Sequence, residues 1–173
     1  MMKRVLCLAV CMAAVLLGVG ESHAETVVNG SINLDTTWTV EDGPYILNST
    51  VSVNTNATLT IEAGVEVRVS DANNSYELRV LSGGAIIAQG TSEAPIVFQS
   101  NGQGSAGAWE GLRVEDGGAL LLRHGVVRHA DFAIRLINPT SSEITLEDIA
   151  IETFNSRGVI ATSGGGFTMS RVM

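Results

Sequence analysis

The sequence predicts an all-β solenoid. Short parallel strands wind into a triangular coil of about five to six rungs, left uncapped at its C-terminal end. Three observations lead there. An apolar–any–apolar pair followed by a second such pair occurs at Val51/Val53 with Leu59/Ile61, Leu78/Val80 with Ile86/Ala88, and Leu112/Val114 with Leu120/Leu122. It returns at Ile134/Leu136 with Ile144/Leu146 and at Val159/Ala161 with Phe167/Met169. Alternation of this kind marks strands with one buried face. Second, the step inside a copy is 8, 8, 8, 10 and 8 residues, while the copies start 27, 34, 22 and 25 residues apart. Fixed rungs with loops of varying length behave this way. Third, the last three copies add a third short strand, at Gly125/Val127, Ile149/Ile151 and Val172. The apolar phase jumps there from even to odd spacing. A flat strand would turn its core face outward at such a jump, whereas a corner keeps both segments facing inward.

Residues 1–24 read as an export signal. Lys3 and Arg4 precede an apolar run from Val5 to Val19, and Ser22-His23-Ala24 places small residues before a cut after Ala24. The run is shorter than the roughly 20 residues of a membrane span, so the mature chain is expected to carry none. The expected location is secreted, extracellular or cell-surface, or the periplasm. Both cysteines, Cys7 and Cys11, fall in this segment, so no disulfide would staple the mature chain.

Residues 25–50 form an N-terminal cap and first turn, built on Trp38, Val40, Tyr45 and Leu47. Residues 51–173 are the coil. Turn signals punctuate it at Asn73-Asn74, Gly83-Gly84, Gly117-Gly118 and Gly164-Gly165-Gly166. Ser100 to Ala108 is a glycine- and serine-rich insertion that accounts for the longest interval. Met173 falls within a third strand, so the expectation is a coil that continues in a longer chain. The alternative is a final rung that pairs end to end with a second molecule.

The formal charge is −8. Removing Lys3, Arg4 and Glu21 makes it −9, and all eight remaining basic residues are arginine. An acidic, lysine-free chain is a poor binder of nucleic acid. Stacking the copies pairs opposite charges across rungs: Arg123 with Glu147, His124 with Asp148, Asp148 with Arg171, and Arg128 with Glu152.

The segments Asn56-Ala-Thr-Leu-Thr-Ile-Glu-Ala-Gly64, Leu81-Ser-Gly-Gly-Ala-Ile-Ile-Ala-Gln-Gly-Thr91, Pro95-Ile-Val-Phe98 and Trp109-Glu-Gly-Leu112 carry a family resemblance. Residues 35 to 173 resemble the N-terminal part of secreted bacterial right-handed parallel β-helix proteins of the pectin-lyase-like superfamily. The resemblance implies the right-handed coil. It leaves function open, because that superfamily holds polysaccharide lyases, hydrolases and adhesins.

The enzyme motifs of that superfamily are absent. There is no Asn-Thr-Asp or Asp-Asp motif for a hydrolytic carboxylate pair. Lyases there usually take Arg or Lys as base and often Ca²⁺ or another Lys as charge neutraliser; no lysine remains after the export signal, and no tight aspartate cluster suits calcium. Glu115-Asp116 reads as a turn before two glycines, and His124 and His129 read as corner residues. No catalytic residue, metal or cofactor is assigned. The expected ligand contacts are Arg79, Arg113 and Arg135, which share one outward position in three successive rungs and suit a carboxylated or sulfated polysaccharide. Glu77 and Glu115, two residues from Arg79 and Arg113, offer a competing structural role by neutralising them. Trp109 is a candidate sugar-stacking ring, with core packing as its alternative. The function expected is a non-catalytic scaffold contacting extracellular polysaccharide or mediating adhesion. The rival is the start of a polysaccharide lyase or glycoside hydrolase with catalytic residues beyond residue 173.

Overall fold

A computed structural model of the chain describes residues 24–71, 74–102, 104–139, 143–164 and 166–173. The rest of the expected export signal, residues 1–23, lies outside the described residues, as does Asn73. The strands are β1 (Thr26–Ile32), β2 (Thr36–Trp38), β3 (Tyr45–Val53), β4 (Thr58–Ile61), β5 (Glu66–Val69), β6 (Glu77–Val80) and β7 (Ala85–Gln89). They continue as β8 (Ile96–Ser100), β9 (Gly111–Val114), β10 (Ala119–Arg128), β11 (Phe132–Ile137), β12 (Ile144–Glu152), β13 (Arg157–Thr162) and β14 (Thr168–Val172).

Every pairing between these strands is parallel, and each joins a strand to one in an adjacent turn. Three columns result. The first runs through the C-terminal halves of β1 and β3, then β6, β9, β11 and β13. The second runs β2, β4, β7, the first half of β10, the first half of β12, and β14. The third takes the N-terminal halves of β1 and β3, then β5, β8 and the second halves of β10 and β12, ending at Val172. This is a right-handed parallel β-helix of about five turns.

The columns reproduce the register expected from alternation. Leu78 stands opposite Leu112, and Leu112 opposite Ile134, in one continuous buried stack. Leu59, Ile86, Leu120 and Ile144 form a second. The phase jump is a corner built on one residue. His124, Asp148 and Arg171 have φ of 46°, 55° and 49° and occupy equivalent corners. A single left-handed residue redirects the chain without breaking the strand, so β10 and β12 each span two sides of the triangle.

The structure extends the pattern at its start. The third strand exists in the early turns too, as Val65, Val67 and Val69 and as Ile96 and Phe98, all buried. Residues 26–47 carry the same three columns in register with the next turn. Trp38 and Tyr45 stack at 4.6 Å there, and the Thr39 N–H donates to the Tyr45 hydroxyl at 2.9 Å. At the other end no described strand pairs beyond β13 and β14, and Met169, an inward position, is 51% exposed.

Candidate functional site

The outward positions of the first column carry the arginine ladder. Alternation buries Leu78, Val80, Leu112, Val114, Ile134 and Leu136 and leaves Arg79, Arg113 and Arg135 pointing out. Arg79 stands opposite Arg113 and Arg113 opposite Arg135, so the three arginines rise in register at the inter-strand backbone spacing of about 4.8 Å.

Like charges at that spacing repel, and each is offset by a carboxylate. Arg113 Nη2 lies 2.9 Å from Glu115 Oε1, and Arg135 Nη2 donates to Glu110 Oε2 at 3.0 Å. Arg79 Nη1 lies 3.6 Å from Glu77 Oε1, and Arg79 Nη2 donates to the Ser52 hydroxyl at 3.2 Å. Arg135 also lies over the Phe132 ring, 4.1 Å from its centre. The face is therefore a zipper of three cations and three anions. The pairing of Glu77 with Arg79 and of Glu115 with Arg113 follows the sequence expectation. Glu110 and Phe132 escaped it, because the corner that brings them beside Arg135 has no period in the sequence.

Trp109 cannot stack on a sugar. It is fully buried, and its Nε1–H donates to the Arg128 carbonyl oxygen at 2.8 Å. The chain leading into it is held by backbone bonds: Gly107 N–H donates to Ala130 O at 3.2 Å and Ala108 N–H to His129 O at 2.8 Å. Glu115 and Asp116 form the turn read from sequence, closed by Gly118 N–H donating to Glu115 O at 2.9 Å.

The corner histidines are occupied. His124 Nε2 lies 3.7 Å from Asp148 Oδ2. His129 Nδ1 lies 3.1 Å from the buried Ser100 hydroxyl, and burial, followed by Arg128, holds its pKa below the ordinary histidine value. Among the described residues no group of three or more His, Cys, Asp or Glu side chains could hold a metal ion.

The remaining ladders match the charge pairing read from sequence. Arg123 Nε is 3.0 Å from Glu147 Oε2, and Arg171 pairs with Asp148 and with Glu147. Arg128 Nε is 2.9 Å from Glu152 Oε2, close enough for an ion pair though poorly aligned for a hydrogen bond. On the third column Glu66 accepts from Arg68 at 2.8 Å and from Gln99. The Arg68 hydrogen bond is the main reason that the Glu66 carboxyl sits below its ordinary 4.5. A lowered acid stabilises the fold above its unfolded value and loses that contribution as pH falls through the folded one. The stability difference between the wild type and Glu66→Gln, read from urea midpoints, should be about 0.5–1 kcal/mol at pH 7 and vanish as pH drops below the carboxylate range.

Fold and site together define a β-helical scaffold with charge-paired faces. The family described as "pectate-lyase like beta helix domain" matches residues 30–130, and the chain belongs to it. No curated protein and no solved structure matches the chain. No helix among the described residues is long and apolar enough to cross a membrane.

Proposed function

We propose that this β-helix is a non-catalytic scaffold, secreted or displayed at a cell surface, that contacts an acidic extracellular polysaccharide through its arginine ladder. The observation that carries the reading is the in-register stack of Arg79, Arg113 and Arg135 on one outward face. A guanidinium offers five donors in a planar fork, and the carboxylate contacts above use only some of them. Glu110 and Glu115 are partly exposed, so a polymer carboxylate or sulfate can displace them from Arg135 and Arg113. Adhesion through the same face is the role such a contact would serve.

The test is binding of the chain to polygalacturonate, alginate and heparin. Arg79→Gln/Arg113→Gln/Arg135→Gln should weaken binding at least tenfold, and the wild-type affinity should fall steeply with added salt. Binding that is unchanged in the triple variant removes the ladder from the function.

A second reading takes its support from the family description, which names pectate lyase. There the coil is the start of a polysaccharide lyase or hydrolase whose catalytic groups come from further turns. Release of unsaturated sugar products from pectin or alginate by the chain would favour this reading over the scaffold.

A further inference from the structure

We propose that Glu77 is the fixed internal counterion of the arginine face and limits its hold on polyanions, so that neutralising Glu77 strengthens the binding of an acidic polymer. This rests on the arginine face being the anion contact.

The three carboxylates of the zipper are not equivalent. Glu77 shares the outward parity of Arg79, yet its side chain is only 10% exposed, whereas Glu110 and Glu115 keep roughly a quarter to a third of theirs in solvent. Gly111 stands opposite Glu77 with φ 110°, and a Cβ there would fall 1.7 Å from the Phe132 carbonyl oxygen. Only glycine fits, so the lane beside the arginines has no side chain at that level. Glu77 is left beneath the arginines of the next turns. It contacts Arg79 on β6 and feels the charges of Arg113 on β9, Arg135 on β11 and Glu110 just before β9, while Ser52 of β3, opposite Arg79, is uncharged.

An incoming polymer can push Glu110 and Glu115 aside because their ends reach water. It cannot push Glu77 aside. One negative charge therefore stays under the three guanidinium groups while the polyanion is bound. Two backbone-proximal donors on the same face, Arg79 Nε and Arg113 Nε, are buried without an acceptor, so Glu77 does not satisfy the arginines it holds. Burial raises the Glu77 carboxyl above its ordinary 4.5 against the pull of Arg113, Arg79 and Arg135, and Glu110 adds to the rise. A bound polyanion would raise it further, and by linkage mild acid should tighten binding.

The experiment uses dextran sulfate, whose charge is constant over the pH range, and the full chain carrying His124→Gln/His129→Gln so that the described histidines do not titrate. Affinity is measured at pH 7.5 and 5.0 with and without Glu77→Gln. Glu77→Gln is expected to bind roughly three- to tenfold tighter at pH 7.5, and to lose most of the gain in affinity between pH 7.5 and 5.0. Equal affinity and an equal pH response in both proteins would overturn the proposal. If Glu77→Gln misfolds, the parent settles the matter alone: affinity that does not rise at pH 5.0 overturns the proposal. The failure of the underlying reading looks different. In that case the triple arginine variant binds dextran sulfate as well as the wild type does.

Discussion

Leu122→Asp should unfold several turns at once. Leu122 lies fully buried in the second column, between Ala88 below and Leu146 above. A carboxylate there has no partner, and desolvating it costs several kcal/mol beyond the loss of the leucine's own burial. A solenoid is held by contacts between adjacent turns, so a damaged turn takes its neighbours with it. The expected loss is about 4 kcal/mol or more, seen as a collapse of the far-ultraviolet circular dichroism or a large fall in the urea midpoint. Leu146→Asp should do the same. Thr145→Asp is the control, since Thr145 is the outward residue between the buried Ile144 and Leu146. It should move stability by no more than about 0.5 kcal/mol. Equal tolerance of all three substitutions would contradict the assignment of inward and outward faces.

The second large effect is expected at Gly111. An alanine would have to hold a φ near 110° and place its Cβ 1.7 Å from the Phe132 carbonyl oxygen. The obstacle is backbone, so a rotamer change cannot relieve it. Backbone strain and overpacking each cost about 1–3 kcal/mol, which puts Gly111→Ala near 3 kcal/mol. The damage should also reach the arginine face, because pushing β11 away from β9 separates Arg135 from Arg113. A denaturation curve for Gly111→Ala that overlays the wild type would show that the two strands do not approach so closely. By contrast Gly30, also at positive φ, has nothing within 4 Å of its Cβ position, and a substitution there meets backbone cost alone.

The coil was legible in the sequence because its period belongs to the core. Leucine, isoleucine and valine recur at most inward sites of the first two columns, and the ladder charges then fell into place. Two features were less legible for the same physical reason. In β10 and β12 one left-handed residue joins the second and third columns, so the phase jump is regular and visible. In the earlier turns a loop separates the columns, Glu62 to Val65 in one and Gly90 to Pro95 in the next. Val65, Val67 and Val69 alternate as clearly as any strand, but at an interval that repeats nowhere else. The first turn was less regular in the sequence, since β2 is three residues long and contributes a single fully inward side chain, Trp38.

The arginine face shows the same division. The column of Arg79, Arg113 and Arg135 is a consequence of register and follows from the sequence. The burial of Glu77 has no signal in its own strand, and the partnership of Glu110 with Arg135 depends on a corner. Neither is periodic. Trp109 was the most ambiguous residue, an aromatic next to a loop, and its position beneath Arg128 makes it an anchor of the core.

In a coil, outward residues of one column rise in equal steps. Thr37, Leu121, Thr145 and Thr168 lie in the same outward lane of the second column. The chain after the expected export signal has no native cysteine to interfere with labelling. Spin labels placed at Thr37 and at each of the other three in turn measure the separations by double electron–electron resonance. At about 4.8 Å per turn, three, four and five steps give backbone separations near 14, 19 and 24 Å, increasing in that order. Distances that fail to grow by one step per turn, or that shorten as antiparallel hairpins would require, would contradict the coil.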